Sequence, residues 1–210
     1  RDNVEHIVNG GISLGNGSNV IIEGERNKEN NKLTVTATGG NAGIGANNGV
    51  TAGDITIRNA RVEATGSSTS DESIDLVCGA GIGTSNGSMG NILIENSIIV
   101  AEGGYYEYET PAPAIGMGEK NGIMGDITIV DSEITATNNG EGFASVIGAI
   151  DNDGIGTMGD IVITNCELNL TMVITEADWY GAFIGPGLGG SSTQFNMGKI
   201  IFTDMTKEEL

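Results

Sequence analysis

The sequence is poor in several residue types, and each shortage narrows the class of protein. Two cysteines among 210 residues do not make a disulfide framework. Aromatic residues make up 4% of the chain, so any core must be built from small aliphatic side chains. No apolar run reaches the roughly 18 residues that cross a bilayer, so membrane insertion is not expected.

Positive charge is scarce as well. The chain has 9 Lys and Arg against 28 Asp and Glu, which gives a formal net charge of −19 at pH 7. Between Arg61 and Gly198 lie 19 acidic residues and a single further basic one, Lys120. A surface of this sign repels nucleic acid and anionic lipid, and it favours cations and neutral glycans. Nucleic-acid binding is therefore the first function to be excluded.

Glycine is abundant, and many of the 35 glycines belong to a repeated motif. The sequence Asn-Ala-Gly-Ile-Gly at 41–45 returns as Gly-Ala-Gly-Ile-Gly at 79–83 and in divergent form at 112–116, 145–148 and 182–185, with a degenerate copy at 12–15. The anchoring aliphatic residues are Leu14, Ile44, Ile82, Ile115, Ile147 and Ile184, at spacings of 30, 38, 33, 32 and 37. Periods of this length indicate stacked structural repeats.

Each repeat contains two further segments with the character of strands. The sequence Gly-Asp-Ile-Thr-Ile at 53–57 returns in related form at 90–94, 125–129, 159–163 and 198–202. A third segment follows at 62–64, 99–101, 134–136 and 168–170. Alternation with period two places Ile55 and Ile57 on one face, as it does Val62 and Ala64. Each repeat is thus predicted to be a coil of three short strands with an aliphatic interior.

Equivalent positions in successive repeats predict further columns of similar residues. One column of residues that suit a tight bend comprises Asn59, Asn96, Asp131, Asn165 and Asp204. A column that precedes the second strand comprises Ala52, Met89, Met124, Met158 and Met197, and we expect it to fill the core. Cys78 and Cys166 occupy small-residue positions, so they are predicted to be buried and not catalytic.

Together these features resemble a right-handed parallel β-helix of the pectate-lyase-like kind, in which asparagine ladders at one bend are familiar. More closely, the Gly-Ala-Gly-Ile-Gly and Gly-Asp-Ile-Thr-Ile pattern resembles repeats of bacterial secreted and cell-surface proteins, some of them carbohydrate-binding. The resemblance implies an all-β fold, a single-stranded right-handed β-solenoid of about six coils, and an extracellular or cell-surface location in a bacterium. The basic catalytic residue of the lyases has no counterpart in these repeats, which argues against lyase activity.

The repeats define the predicted domain organisation. We expect one β-helix domain over residues 1–210, with residues 1–11 as an N-terminal cap and residues 12–204 as the repeats. Residues 205–210 are either a tail or the start of a further domain. Because the last coil stops before it is complete, further domains are expected in the parent chain.

Insertions before the first strand of the coils carry the features that indicate binding. They lie at about 66–77, 103–112, 138–144 and 172–181, and hold six of the nine aromatic residues with no Lys or Arg. Aromatic rings stack on the faces of sugars, carboxylates accept hydrogen bonds from sugar hydroxyls, and loops on a rigid scaffold are common binding sites. The predicted ligand-binding residues are Tyr105, Tyr106, Tyr108, Trp179, Tyr180, Glu107, Glu109 and Asp178.

These four insertions fall at one corner of the predicted coil, which we call the insertion corner. Several functions remain open for the insertion corner. The leading prediction is non-enzymatic: a module that binds a glycan or cell-surface polysaccharide, or an adhesin-like stalk that displays other modules. The alternative is a glycan-active hydrolase or lyase with a pair of carboxylates at the bond to be cleaved. The candidate catalytic residues for that alternative are Glu107, Glu109, Asp75 and Glu141.

No cofactor is predicted, and calcium is the one metal left open. Asp151 and Asp153 alternate as oxygen ligands do in a calcium loop. The same segment lacks the downstream bidentate Glu of an EF-hand and carries Asp153-Gly154 in the column of Asn-Gly turns, so a turn is the better explanation of these residues.

Overall fold

The chain forms a parallel β-solenoid. Its computed structural model describes residues 4–68, 78–105, 111–118, 121–140, 144–150, 156–173, 181–187 and 195–205. Within these ranges the regular structure consists of 21 short strands and no helix. The strands of each sheet pair in parallel with the strand one coil away, as β-solenoids require. The predicted all-β solenoid fold is thereby confirmed.

The strands, numbered in chain order, stack into four sheets. Sheet A contains β1 (His6–Asn9), β4 (Lys32–Thr36), β7 (Arg61–Thr65), β10 (Ile98–Glu102), β14 (Glu133–Asn138) and β18 (Glu167–Met172). Sheet B contains β2 (Ile12–Leu14), β5 (Ile44–Ala46), β8 (Ile82–Thr84), β11 (Ile115–Met117), β15 (Ile147–Ala149) and β19 (Ile184–Gly185). Sheet C contains β3 (Val20–Glu23), β6 (Ile55–Arg58), β9 (Ile92–Glu95), β13 (Ile127–Val130), β17 (Ile161–Thr164) and β21 (Ile200–Thr203). Sheet D contains β12 (Ile123–Met124), β16 (Thr157–Met158) and β20 (Asn196–Met197).

The number of coils depends on how the end layers are counted. Sheets A, B and C have six strands each, one for every repeat found in the sequence. The first and last strand of each sheet have a neighbour on one side only, which leaves four strands enclosed on both sides. The solenoid is therefore about four full turns long, somewhat shorter than the predicted six coils.

The register of the first coil differs from the one predicted. The motif spacing aligned Leu14 with Ile44, whereas β2 pairs with β5 so that Ile12 lies opposite Ile44 and Leu14 opposite Ala46. In a strand with period two, a shift of two residues keeps the same side chains facing inward. The hydrophobic pattern alone could not distinguish these two registers.

The interior consists of aliphatic columns that run along the solenoid. In sheet C, Ile55, Ile92, Ile127 and Ile161 are stacked in register and fully buried. Complete burial of one such side chain contributes roughly 1.5–3 kcal/mol to folding, so the columns supply most of the hydrophobic stabilisation. The predicted methionine column is also confirmed, because Met89, Met124 and Met158 are buried, and part of it forms the additional sheet D.

A column of glycines brings the strands of sheet B into close contact. Gly45, Gly83, Gly116, Gly148 and Gly185 pair in register and have φ between +132° and +147°. This backbone conformation directs the β-carbon position toward the next coil. At the first four glycines, a β-carbon would lie 1.7–1.9 Å from the carbonyl oxygen of the glycine that follows in the column. Any side chain larger than hydrogen would therefore separate the coils.

The bend between sheets C and A is the asparagine and aspartate ladder that the sequence predicted. The five residues of this column all have left-handed φ values, from 44° at Asn96 to 56° at Asp204. Asn96 Nδ2 donates to Asn59 Oδ1 over 2.6 Å, and Asn165 Nδ2 donates to Asp131 Oδ1 over 2.7 Å. Short polar side chains tolerate this conformation better than others and bond one another along the stack.

A charged strap, residues 24–31, replaces this bend in the first coil and reaches across the ladder. Arg26 Nη1 donates to Asn96 Oδ1 over 2.8 Å and to the carbonyl oxygen of Asp131 over 2.9 Å. Its Nη2 lies 2.7 Å from Glu133 Oε1. One guanidinium thus joins the first coil to coils 70 to 107 residues further along the chain.

A second ladder, which the sequence analysis missed, lies at the start of sheet C. Each side-chain oxygen in it accepts the backbone N–H of the equivalent residue in the next coil. Asp54 Oδ1, for example, accepts from the Asn91 N–H over 2.7 Å. The complete series runs Asn19, Asp54, Asn91, Asp126, Asp160 and Lys199, the last of which contributes its N–H alone.

The glycine column makes a prediction about stability. Gly116→Ala should lower the free energy of unfolding by more than about 3 kcal/mol, because the added methyl group would clash with the Gly148 backbone. Gly39→Ala is the matched control, since Gly39 has φ +67° but no atom within 4 Å of a β-carbon. Its expected loss is about 1–2 kcal/mol, from backbone conformation alone. Equal losses in urea unfolding would contradict the proposed packing.

The two thiols make a second prediction. Cys78 and Cys166 are buried, as predicted, and burial raises the pKa of the Cys166 thiol. Because the thiolate is the reactive form, a raised pKa keeps Cys166 neutral and slow to react. We expect iodoacetamide at about pH 8 to modify neither cysteine of the folded protein and both cysteines in urea. Intact mass spectrometry measures the number of alkylated cysteines, and rapid alkylation of the folded protein would contradict this prediction.

Candidate functional site

Most of the predicted binding residues lie outside the described residues. Tyr105 is described, whereas the other predicted ligand-binding residues fall in the gaps: Tyr106, Tyr108, Trp179, Tyr180, Glu107, Glu109 and Asp178. The remaining carboxylates of the enzyme alternative, Asp75 and Glu141, lie outside as well, and so do the calcium candidates Asp151 and Asp153. Their roles stay predictions, and the candidate site consists of the described residues around Tyr105.

The backbone on either side of this insertion is anchored to neighbouring coils. Directly after β10, the Gly103 N–H donates to the carbonyl oxygen of Thr137 over 3.1 Å. The Gly104 N–H donates to the carbonyl oxygen of Gly79 over 2.8 Å. Where the chain returns, the Ala112 N–H donates to the Gly104 carbonyl oxygen over 3.0 Å. Tyr105 therefore projects from a base that is tied to the coils before and after it.

The Tyr105 ring lies against the next coil. Its Cδ2 is 2.7 Å from the position that a β-carbon on Gly140 would occupy, and the Pro111 ring approaches the same position. Glycine at position 140 thus leaves room for the tyrosine ring to lie over the backbone. Tyr105 is still 37% exposed, so part of the ring is accessible to a ligand.

Beside the ring lies an open groove of about 430 Å³ that crosses four coils. Glycine backbone from three of these coils forms much of its wall. Its side-chain lining is polar and comprises Thr38, Ser67, Ser68, Glu102 and Asn139 in addition to Tyr105. Among the described residues of this lining, Glu102 is the one that carries a charge. The groove therefore offers hydroxyl, amide and carboxylate groups next to one aromatic ring.

Glu102 and Asn139 form a connected pair within the groove. Asn139 Nδ2 donates a hydrogen bond to Glu102 Oε1. Asn138 holds the turn that carries Asn139: its Nδ2 donates to the carbonyl oxygens of Ala144 and Ser145 over 3.2 and 3.3 Å. Its Oδ1 accepts the Gly140 N–H over 3.2 Å. Because Asn138 is buried, this arrangement orients the Asn139 side chain from below.

Sequence reasoning missed Glu102 and Asn139, although one signal was present. Glu102 occupies an outward column of sheet A whose members in the neighbouring coils are threonines. Those threonines are Thr36, Thr65, Thr137 and Thr171. A carboxylate that interrupts a threonine column immediately before an insertion marks a departure from the repeat. Asn139 interrupts no column of the repeat, so nothing in the sequence marked it. The turn held by Asn138 places it in the groove.

The groove can bind polar molecules, and its described residues show no arrangement for metal chemistry. No group of three or more His, Cys, Asp or Glu side chains that could hold a metal ion occurs among the described residues. Carboxylate and amide oxygens of Glu102 and Asn139 can accept hydrogen bonds, while threonine and serine hydroxyls can donate or accept. Such a lining, together with an aromatic surface, matches a ligand with many hydroxyl groups and flat apolar faces.

Comparisons with known proteins identify no relative of the chain. No family model matches the sequence, and no curated protein and no solved structure is significantly similar to it. Among the described residues, no helix is long and apolar enough to cross a bilayer. The resemblance stated from the sequence is therefore shown at the level of architecture, as a parallel β-solenoid.

Proposed function

We propose that the chain is a non-enzymatic glycan-binding module whose binding site is the insertion corner around Tyr105. The observation that carries this proposal is the groove of about 430 Å³ in which a partly exposed aromatic ring lies beside polar side chains. In this assignment one sugar ring stacks on Tyr105. Its hydroxyl groups donate to Glu102 and exchange hydrogen bonds with Asn139 and the serines of the groove.

The fixed position of Tyr105 supports this assignment. Its ring lies against Gly140, and hydrogen bonds from the Gly103 and Gly104 N–H groups tie its base to Thr137 and Gly79 in the two neighbouring coils. A ring held in this way loses little conformational freedom when a sugar binds, which strengthens binding. The predicted aromatic residues at 106, 108, 179 and 180 belong to the same corner in the sequence and would extend the platform.

Charge favours a neutral or amine-bearing glycan over an acidic one. Glu102 is the charged residue of the groove lining, and the chain as a whole has a net charge of −19. Uronic acid or sulfated polysaccharides would be repelled by this field. We therefore propose a neutral polysaccharide, at a host or cell surface, as the partner, with the module located extracellularly or on a bacterial cell surface beside further domains.

The two alternative functions, a stalk and a glycan hydrolase, require different structural features from a binding module. A pure stalk needs only the regular solenoid, for which the six-stranded sheets and the two side-chain ladders are suited. A glycan hydrolase needs two carboxylates at a suitable separation, whereas the described lining of the groove contains Glu102 alone. The second carboxylate of an enzyme would come from Asp75, Glu107, Glu109 or Glu141, so that alternative rests on residues outside the described part.

The test is binding to a broad glycan array, with and without calcium, for the native chain and for Tyr105→Ala. We expect neutral glycans to bind and the variant to bind at least about tenfold more weakly, which corresponds to about 1.4 kcal/mol. Tyr105→Phe keeps the ring and should bind almost normally. Phe202→Ala is the control for loss of an aromatic ring, since Phe202 is 38% exposed but belongs to sheet C.

A triple variant distinguishes the single groove from the whole corner. Tyr105→Ala/Tyr106→Ala/Trp179→Ala should abolish binding altogether if the insertion corner is the platform. Native binding by this variant would exclude the corner as the site. If the folded native chain binds no glycan in either condition, the stalk function replaces the binding function, and release of sugar from a bound polysaccharide would favour the enzyme.

A further inference from the structure

A second cavity lies at the first coil, on the side of the solenoid where sheets C and A meet. Its volume is about 560 Å³, within the range of small-molecule sites. It shares no lining residue with the Tyr105 groove. Any ligand in this cavity would therefore bind independently of the glycan proposed above.

The strap explains why a cavity exists here. In the second coil, two residues, Asn59 and Ala60, connect β6 to β7, and Ala60 is buried in the core. In the first coil, residues 24–31 make the same connection between β3 and β4. This longer connection replaces, in the first coil, the buried small residue that directly precedes the sheet A strand in the following coils: Ala60, Ser97, Ser132 and Cys166. The cavity opens at that position, because Ala60 itself forms part of its wall.

The walls of the cavity are apolar at the base. Ile22, Leu33, Ala60 and Val4 contribute this surface. Ile22 and Leu33 belong to the inward columns of sheets C and A, since Ile22 lies opposite the buried Ile57 and Leu33 opposite the buried Val62. An apolar side chain placed there would continue the hydrophobic core of the solenoid by one layer.

The charged residues at the rim divide into one that is already paired and two that are not. Lys32 Nζ lies 2.8 Å from Glu63 Oε1 and 3.2 Å from Glu5 Oε1, and the hydrogen bond to Glu63 raises the pKa of Lys32. Among the described residues, neither Arg61 nor Glu23 has a side-chain ion pair or hydrogen bond. Arg61 and Glu23 thus line the cavity as one free positive and one free negative group, beside its apolar residues and the imidazole of His6.

We propose that this cavity binds a small zwitterion with an apolar side chain, such as a free apolar amino acid. Arg61 binds its carboxylate, Glu23 binds its ammonium group, and the side chain packs against Ile22, Leu33 and Ala60. A simple anion is disfavoured because Glu23 and the net charge of −19 oppose it. A simple amine would leave Arg61 without a partner.

The experiment uses the full chain and three probes: L-leucine, leucinamide, which lacks the carboxylate, and 4-methylpentanoate, which lacks the amine. Binding is followed by titration in ¹H–¹⁵N correlation spectra. Leucine should bind saturably and shift resonances of β3, β4 and the strap. Both analogues should bind at least about tenfold more weakly, since each loses one of the two ion pairs that leucine makes with Arg61 and Glu23.

Variants then test whether leucine binding depends on Arg61 and Glu23 or only on the overall charge and stability of the chain. Arg61→Gln and Glu23→Gln should each weaken leucine binding about tenfold or more while thermal unfolding stays close to that of the native chain. Lys199→Gln is the matched control, because Lys199 is exposed, lies in the last coil and contributes its backbone N–H to the second ladder. Its affinity for leucine should be unchanged. The proposal is overturned if leucine does not bind, if either analogue binds as well, or if Arg61→Gln binds normally.

Discussion

The close approach of backbone to backbone in sheet B is the constraint on which the rest of the structure depends. Because no side chain intervenes between successive glycines, each coil lies directly on the next, with carbonyl oxygens 1.7–1.9 Å from where β-carbons would be. That contact sets the axial register, and the aliphatic columns and both polar ladders follow from it. Extra residues can be accommodated only between strands, which is why the strap connects β3 to β4 and the insertions fall in the connections from sheet A to sheet B.

The repeat made most of this architecture predictable, since residues about one period apart occupy the same environment in every coil. The strands of sheets B and C, the bend ladder, and the buried Met89 and Cys166 all follow from alignment of the repeats. Features that no alignment could supply were missed. The register of Leu14 is ambiguous by two residues, the Asp54 ladder depends on side-chain direction, and Arg26 contacts coils that are remote in the sequence.

The candidate site was predictable only in part, because its residues lie where the chain departs from the repeat. Clustered aromatic residues marked the insertion corner, and Tyr105 does border a groove there. Its polar partners Glu102 and Asn139 come from two different coils and meet through a turn held by Asn138. The cavity at the first coil also arises where the chain departs from its repeat. In both places an irregular connection opens a space beside the regular scaffold, and residues at the ends of the neighbouring strands line that space.

The direction of the hydrogen bonds has a mechanical consequence. Bonds between coils point along the axis of the solenoid, so tension applied between its two ends would load the interface of a terminal coil first. Rupture would then proceed one coil at a time, and each step would release a length of chain equal to one period, 30 to 38 residues. Arg26 changes this sequence of events at one end, because it ties the first coil to the ladder at Asn96 and Asp131. The first coil would therefore resist longer than its few strand contacts suggest, and extension would begin at the opposite end.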